Sequence, residues 1–108
     1  MPENSFLHEF NLSFPAVSQD LFYGYKKSLQ TKEIDDFFNN LKDCIDKKDA
    51  IIKIDCSSIK SINSALIAKI IYFEKKAGRA NCKILLINLA PQFIKIFKSL
   101  NIEYLIDS

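Results

Sequence analysis

The sequence predicts an α/β fold: a mixed sheet of four to five strands with three helices, in the order β-β-α-β-α-β-α-β. Three observations predict it. Residues 5–14 alternate apolar and polar side chains with the period of two expected of a half-buried strand. Residues 50–56 and 82–88 are short, largely apolar runs rich in branched side chains, as buried central strands are. Three further segments repeat apolar residues at helical spacing. Two consecutive strands followed by alternating helices and strands imply a sheet with a parallel portion and helices packed over it.

Taken in order, the first strand places Phe6, His8, Phe10, Leu12 and Phe14 on its apolar parity, and Pro15 ends it. After a turn at Ser18, Gln19 and Asp20, residues 21–25 read as a second, aromatic-rich strand that includes Gly24. Thr31 is a good N-cap for the first helix, with Glu33, Asp35 and Asp36 in its first turn. Ile34, Phe37 or Phe38, Leu41 and Ile45 form its stripe, and Lys47, Lys48 and Asp49 close it as a polar turn. The 50–56 strand leads into a polar stretch, and a second helix starts near Asn63 with Leu66, Ile67, Ile70, Ile71, Glu74 and Ala77 in its repeat. Its end is basic, and Gly78 is a candidate C-cap. After the 82–88 strand, Pro91 sits in the first turn of a third helix whose stripe is Phe93, Ile96 or Phe97, and Leu100. Asn101 ends that helix, and residues 104–107 read as a short final strand.

Composition excludes several function classes. A chain of 108 residues is one domain, 1–108, and closes one core without disulfides or a metal. Two glycines cannot build a phosphate-binding glycine loop, and one histidine cannot build a His-rich zinc site. Lys plus Arg number 15 against 13 Asp plus Glu, and Arg79 is the single arginine, so no nucleic-acid footprint is expected. Cys44, Cys56 and Cys82 are odd in number and far apart, which points to reduced thiols. No segment has the pattern of a signal peptide or the length of a membrane span, so a cytoplasmic protein is expected.

From residue 51 to 106 the chain resembles the STAS domain family, the fold of bacterial anti-sigma factor antagonists. Residues 52–56 fit the family's buried strand, and Asn63-Ser64 fit its Asp-Ser pair. Ala65, Leu66 and Ile67 stand where Ser or Gly, Gly and Leu are usual. Residues 84–87 fit the next strand, Pro91 the proline of the third helix, and Asn101-Ile102 the usual Gly-Leu. The resemblance implies a stand-alone protein–protein interaction module and not an enzyme, with no cofactor and no catalytic or metal-binding residue.

The resemblance also implies a site. Ser64 takes the position of the family's phospho-acceptor, and Lys60, Ser61, Asn63, Ala65, Leu66 and Ile67 surround it as partner-binding candidates. A phosphate in the first turn of a helix meets free backbone N–H groups and the positive end of the helix dipole. The alternative from the residues themselves is that Ser61, Asn63 or Ser64 simply caps the helix. The implied partner is an anti-sigma kinase in a partner-switching pathway. A second version is a STAS subunit docking on the ATPase of a bacterial lipid-trafficking ABC transporter, and another class is a small-ligand sensor of nucleotides or lipids. Elsewhere, His8 reads as a packed core or edge residue, and Asp55 as a residue that orders a loop. Lys75, Lys76, Arg79 and Lys83 read as a solvated face that satisfies the helix dipole, or else as an anion or membrane-surface contact.

Overall fold

A computed structural model describes residues 6–16 and 29–107. Among them three strands form one parallel sheet in the order β1-β2-β3: β1 His8–Ser13, β2 Ala50–Asp55 and β3 Lys83–Ile87. Three helices alternate with them: α1 Leu29–Asp46, α2 Ser64–Arg79 and α3 Pro91–Ser99. Phe10 pairs with Ile52, and Ile52 with Ile84, so one register row crosses the whole sheet.

Side-chain alternation decides where the core lies. Ala50, Ile52 and Ile54 of β2 and Ile84 and Leu86 of β3 are buried, whereas Ile51, Lys53 and Asp55 of β2 are half-buried. Two successive right-handed crossovers in the order β1-β2-β3 put α1 and α2 over the same sheet face. Their apolar stripes close that face: Ile34, Phe37, Phe38, Leu41 and Ile45 from α1, and Leu66, Ile70, Phe73 and Ala77 from α2. Both Phe37 and Phe38 are needed, because each has its own partner. Phe37 packs on Phe14 with ring centroids 4.9 Å apart, and Phe38 stacks on Phe73 at 5.1 Å. That aromatic cluster joins the end of β1 to both helices. Phe93 and Phe97 of α3 continue the core with Ile102 and Leu105.

Several sequence expectations are corrected. The described sheet has three strands, all parallel, and the strand expected at 21–25 lies outside the described residues. The final strand expected at 104–107 is instead a 3-10 turn at Glu103–Leu105 followed by a single bridge from Ile106 to Leu86. The chain leaves α3 through Asn101 at φ 60°, and Ile102 N–H bonds Phe97 C=O at 3.0 Å, so the turn delivers only Ile106 and Asp107 to β3. Helix α1 begins at Leu29, two residues before the expected cap, so Thr31 lies in its first turn. Gly78 is not a C-cap: α2 runs to Arg79, and the left-handed residue beyond it is Asn81, at φ 58°. On α3 the stripe is Phe93 and Phe97, while Leu100 is half exposed.

Candidate functional site

The site sits at the carboxyl end of the parallel strands, where β2 passes through a loop into α2. In an open parallel sheet this edge collects loops and helix N-termini. Two polar side chains shape the loop. Asp55, the last residue of β2, accepts hydrogen bonds at Oδ1 from the Ser57 N–H at 2.9 Å and from Asn88 Nδ2 at 3.2 Å. The Ser57 N–H, then the Asn88 amide and the Ser57 hydroxyl, hold the Asp55 carboxyl below the usual carboxylate range. Asn88 reaches Asp55 from a left-handed conformation at φ 60°, just past β3. The pair ties two strand ends together and anchors the loop start. Cys56 lies beneath, buried, and burial pushes its thiol up to about 12, so it is a neutral packing group.

The second shaping residue is Asn63. It is extended at φ −132° and ψ 176°, and its Oδ1 accepts from the Leu66 N–H at 3.0 Å. Its own carbonyl takes the Ile67 N–H at 3.1 Å and starts the helix. Of the three capping candidates, Asn63 is therefore the cap. Ser64 becomes the first helical residue, exposed, and its hydroxyl makes no hydrogen bond among the described residues.

The other candidates divide by exposure. Lys60 and Ala65 are exposed, and Ser61, Asn63 and Ile67 are half-buried. Leu66 is 1 % exposed and belongs to the core, so it offers no side chain to a partner. The geometry explains this placement: position 66 falls on the same α2 face as Ile70, Phe73 and Ala77. Ile59, also buried, pins the middle of the loop, and its N–H bonds Cys56 C=O at 3.0 Å. Lys69 turns toward α1, with its ammonium 5.1 Å from the centroid of the Phe38 ring. The exposed rim is thus Lys60, Ser64 and Ala65, with Ser61 and Ile67 beside them. Asp55 orders the loop, as read from the sequence, but its partner Asn88 was not singled out there. An asparagine directly after an apolar strand is the available signal, since Asn tolerates the left-handed region. His8 is exposed on β1, its ring 6.1 Å from that of Phe10.

Cavities are small inside and open outside. The core void between Phe14, Phe38, Ile59, Phe73 and their neighbours is about 10 Å³, room for no more than one water. Among the described residues no group of three or more His, Cys, Asp or Glu side chains is placed to hold a metal, and no helix is long and apolar enough to cross a membrane. The family model described as STAS domain matches residues 13–107. No curated protein and no solved structure gives a significant match.

Proposed function

The chain belongs to the STAS domain family, a family of regulatory and interaction modules, and from that premise we propose that it is a non-enzymatic docking protein switched by phosphorylation of Ser64. The observation that carries this reading is the division of labour between Asn63 and Ser64. Because Asn63 caps the helix, the Ser64 hydroxyl is exposed and unengaged at the first helical position. Its surroundings suit a phosphate without needing one. The dipole end of a 16-residue helix stabilises an anion there. Phosphorylation adds about −1.5 to −2 charges. On a rim of Lys60, Ala65, Ile67 and serines, that charge opposes an apolar or neutral partner surface. The partner is a cytosolic protein, either an anti-sigma kinase or a transporter ATPase. A small-ligand sensor has less support, since the enclosed void is far below ligand size and the larger clefts, such as the one lined by Asn11, Glu33, Asp36 and Asn40, lie open on the surface away from the Ser64 rim.

The test is affinity capture from a lysate of the source cell with wild type, Ser64→Ala and Ser64→Glu as baits, together with intact mass of the protein purified from that cell. A partner held by wild type and Ser64→Ala but lost by Ser64→Glu, with added phosphate mapping to Ser64, supports the reading. Equal capture by Ser64→Glu, or phosphate at another residue, overturns it. The identity of the captured protein separates kinase from ATPase.

A further inference from the structure

At the opposite end of the domain, where helices finish and strands begin, the loops converge on a cationic surface. The Asp49 N–H bonds Ala80 C=O at 3.1 Å, and Asn81 Nδ2 bonds Asp49 Oδ1 at 2.7 Å, so the α1–β2 and α2–β3 turns are neighbours. Lys47 and Lys48 lie in the first turn, Lys75, Lys76 and Arg79 end α2, and Lys83 opens β3. All six are exposed except Lys76, which is half-buried, and none forms an ion pair among the described residues. The carboxylates at this end are fewer. Asp46 is paired with Lys42 at 3.3 Å, Asp49 is hydrogen-bonded by Asn81, Asp43 stands on α1, and Glu9, in the register row of Ile51 and Lys83, is paired with Lys53 at 3.8 Å. A helix C-terminus carries roughly half a negative charge, so two helix ends offset about one of these six cations. With Lys42–Asp46 and Lys53–Glu9 closed as pairs, the six cations are opposed by Asp43 and Asp49, so this end is net positive in a chain whose net charge is +2.

One apolar side chain stands in the same place. The Leu7 N–H bonds Asp49 C=O at 2.6 Å, which seats Leu7 against the α1–β2 turn, and Leu7 is 76 % exposed, the most exposed large apolar residue described. We propose that this end of the domain is a peripheral contact for an anionic lipid bilayer, with Leu7 entering the interfacial region and the six cations facing the headgroups. Three features favour a bilayer over other polyanions. Five of the six cations are lysines, which suit diffuse attraction to a charged surface but not the bidentate recognition of bases or phosphates that arginine provides. Lysine is also depleted in protein–protein interfaces. An exposed leucine gains nothing on a nucleic-acid backbone, whereas at a bilayer surface it adds apolar burial. This surface is independent of the Ser64 rim, and the two stand or fall separately.

The test is flotation of the full chain with phosphatidylcholine vesicles that contain or lack phosphatidylglycerol, at low and high salt. Binding is expected only with phosphatidylglycerol, and it falls as salt rises. Each lysine removed weakens partitioning about fivefold, so Lys75→Gln/Lys76→Gln/Lys83→Gln loses roughly 100-fold. Leu7→Ser weakens it further, and Lys60→Gln, on the far end, leaves it unchanged. Lys75, Lys83, Leu7 and Lys60 are exposed and Lys76 is half-buried, and circular dichroism verifies the fold. No flotation with phosphatidylglycerol, an equal effect of Lys60→Gln, or no effect of Leu7→Ser overturns the proposal. So does tighter binding to duplex DNA or to a poly-glutamate peptide at matched salt, which would assign the surface to those partners.

Discussion

Replacing Leu66 with glycine restores the residue usual in the family at this position, and here it should be severely destabilising. Leu66 is 1 % exposed and shares its α2 face with Ile70, Phe73 and Ala77, against the sheet. Truncating a buried leucine to alanine costs about 2–5 kcal/mol through lost burial and the cavity left behind. Glycine adds about 1 kcal/mol relative to alanine in a helix. A loss of about 4 kcal/mol is therefore expected, a large part of the ~5–15 kcal/mol that holds a domain together. For a chain of this size the thermal midpoint should fall by about 20 °C. Urea denaturation followed by circular dichroism measures the loss, with Ala65→Gly as the control. Ala65 is exposed one residue earlier, so the same new backbone freedom there costs about 1 kcal/mol or less. If Leu66→Gly and Ala65→Gly are equally mild, Leu66 does not fill the core, and the placement of α2 over the sheet is wrong.

Two further predictions concern the Asn63 cap and the cysteine thiols. Asn63→Ala should cost about 1 kcal/mol, because the Leu66 N–H loses its acceptor, whereas Asn63→Asp keeps the acceptor and adds a favourable charge at the helix start, leaving the thermal midpoint unchanged or raised at low salt. Equal losses in both variants would show that the side chain does not cap. Alkylation by iodoacetamide at neutral pH should reach Cys44 first, though slowly, since it is half-buried and burial raises its thiol pKa. Cys56, with its thiol pushed to about 12, should stay unmodified until denaturant is added, and raising the pH toward 9 should not change this, because the thiolate remains a small minority below the folded-state pKa. Peptide mass mapping after timed quenching reads the order, and early labelling of Cys56 would contradict its burial.

Much of the fold was legible because the local signals were independent of one another. The β2 and β3 runs, the start of α2 near Asn63, Pro91 at the first turn of α3 and the polar turn at Lys47, Lys48 and Asp49 all stand where the residues place them. What was not legible depended on contacts distant in sequence. Residues 104–107 have strand-like composition, yet only Ile106 reaches Leu86, because the tight exit from α3 consumes the preceding residues in a 3-10 turn. The α2 repeat read from the sequence includes Glu74 and omits Phe73, yet Phe73 stands at helical spacing from Leu66, Ile70 and Ala77 and is buried with them, where Phe38 stacks on it. At the candidate site, the family resemblance singled out Ser64 as a candidate but did not say which of three residues caps. That assignment required the Asn63 Oδ1 geometry, and it changes the chemistry by leaving the serine hydroxyl unengaged.

The scarcity of glycine has a structural counterpart. With Gly24 and Gly78 as the only glycines, the left-handed turns need other residues. Asparagine supplies three of them: Asn81 after α2 at φ 58°, Asn88 after β3 at φ 60° and Asn101 after α3 at φ 60°. Asparagine enters this region more easily than other side-chain-bearing residues, because its short amide can hydrogen-bond locally. It also contributes what glycine cannot. Asn81 bonds Asp49 and so joins the two turns of the cationic end, and Asn88 bonds Asp55 and so joins two strand ends beneath the Ser64 loop. At Asn81 and Asn88 the left-handed residue thus also cross-links two segments. Leu66 differs from these three: it lies inside a helix, where no left-handed turn is needed, and its side chain adds to the core while Ser64 remains exposed. Divergence from the family pattern at this loop therefore strengthens the scaffold under the rim and alters the surface chiefly at Asn63, where a carboxylate is usual. A partner that reads that carboxylate would discriminate against this chain, while one that reads only the serine and its apolar neighbours would not.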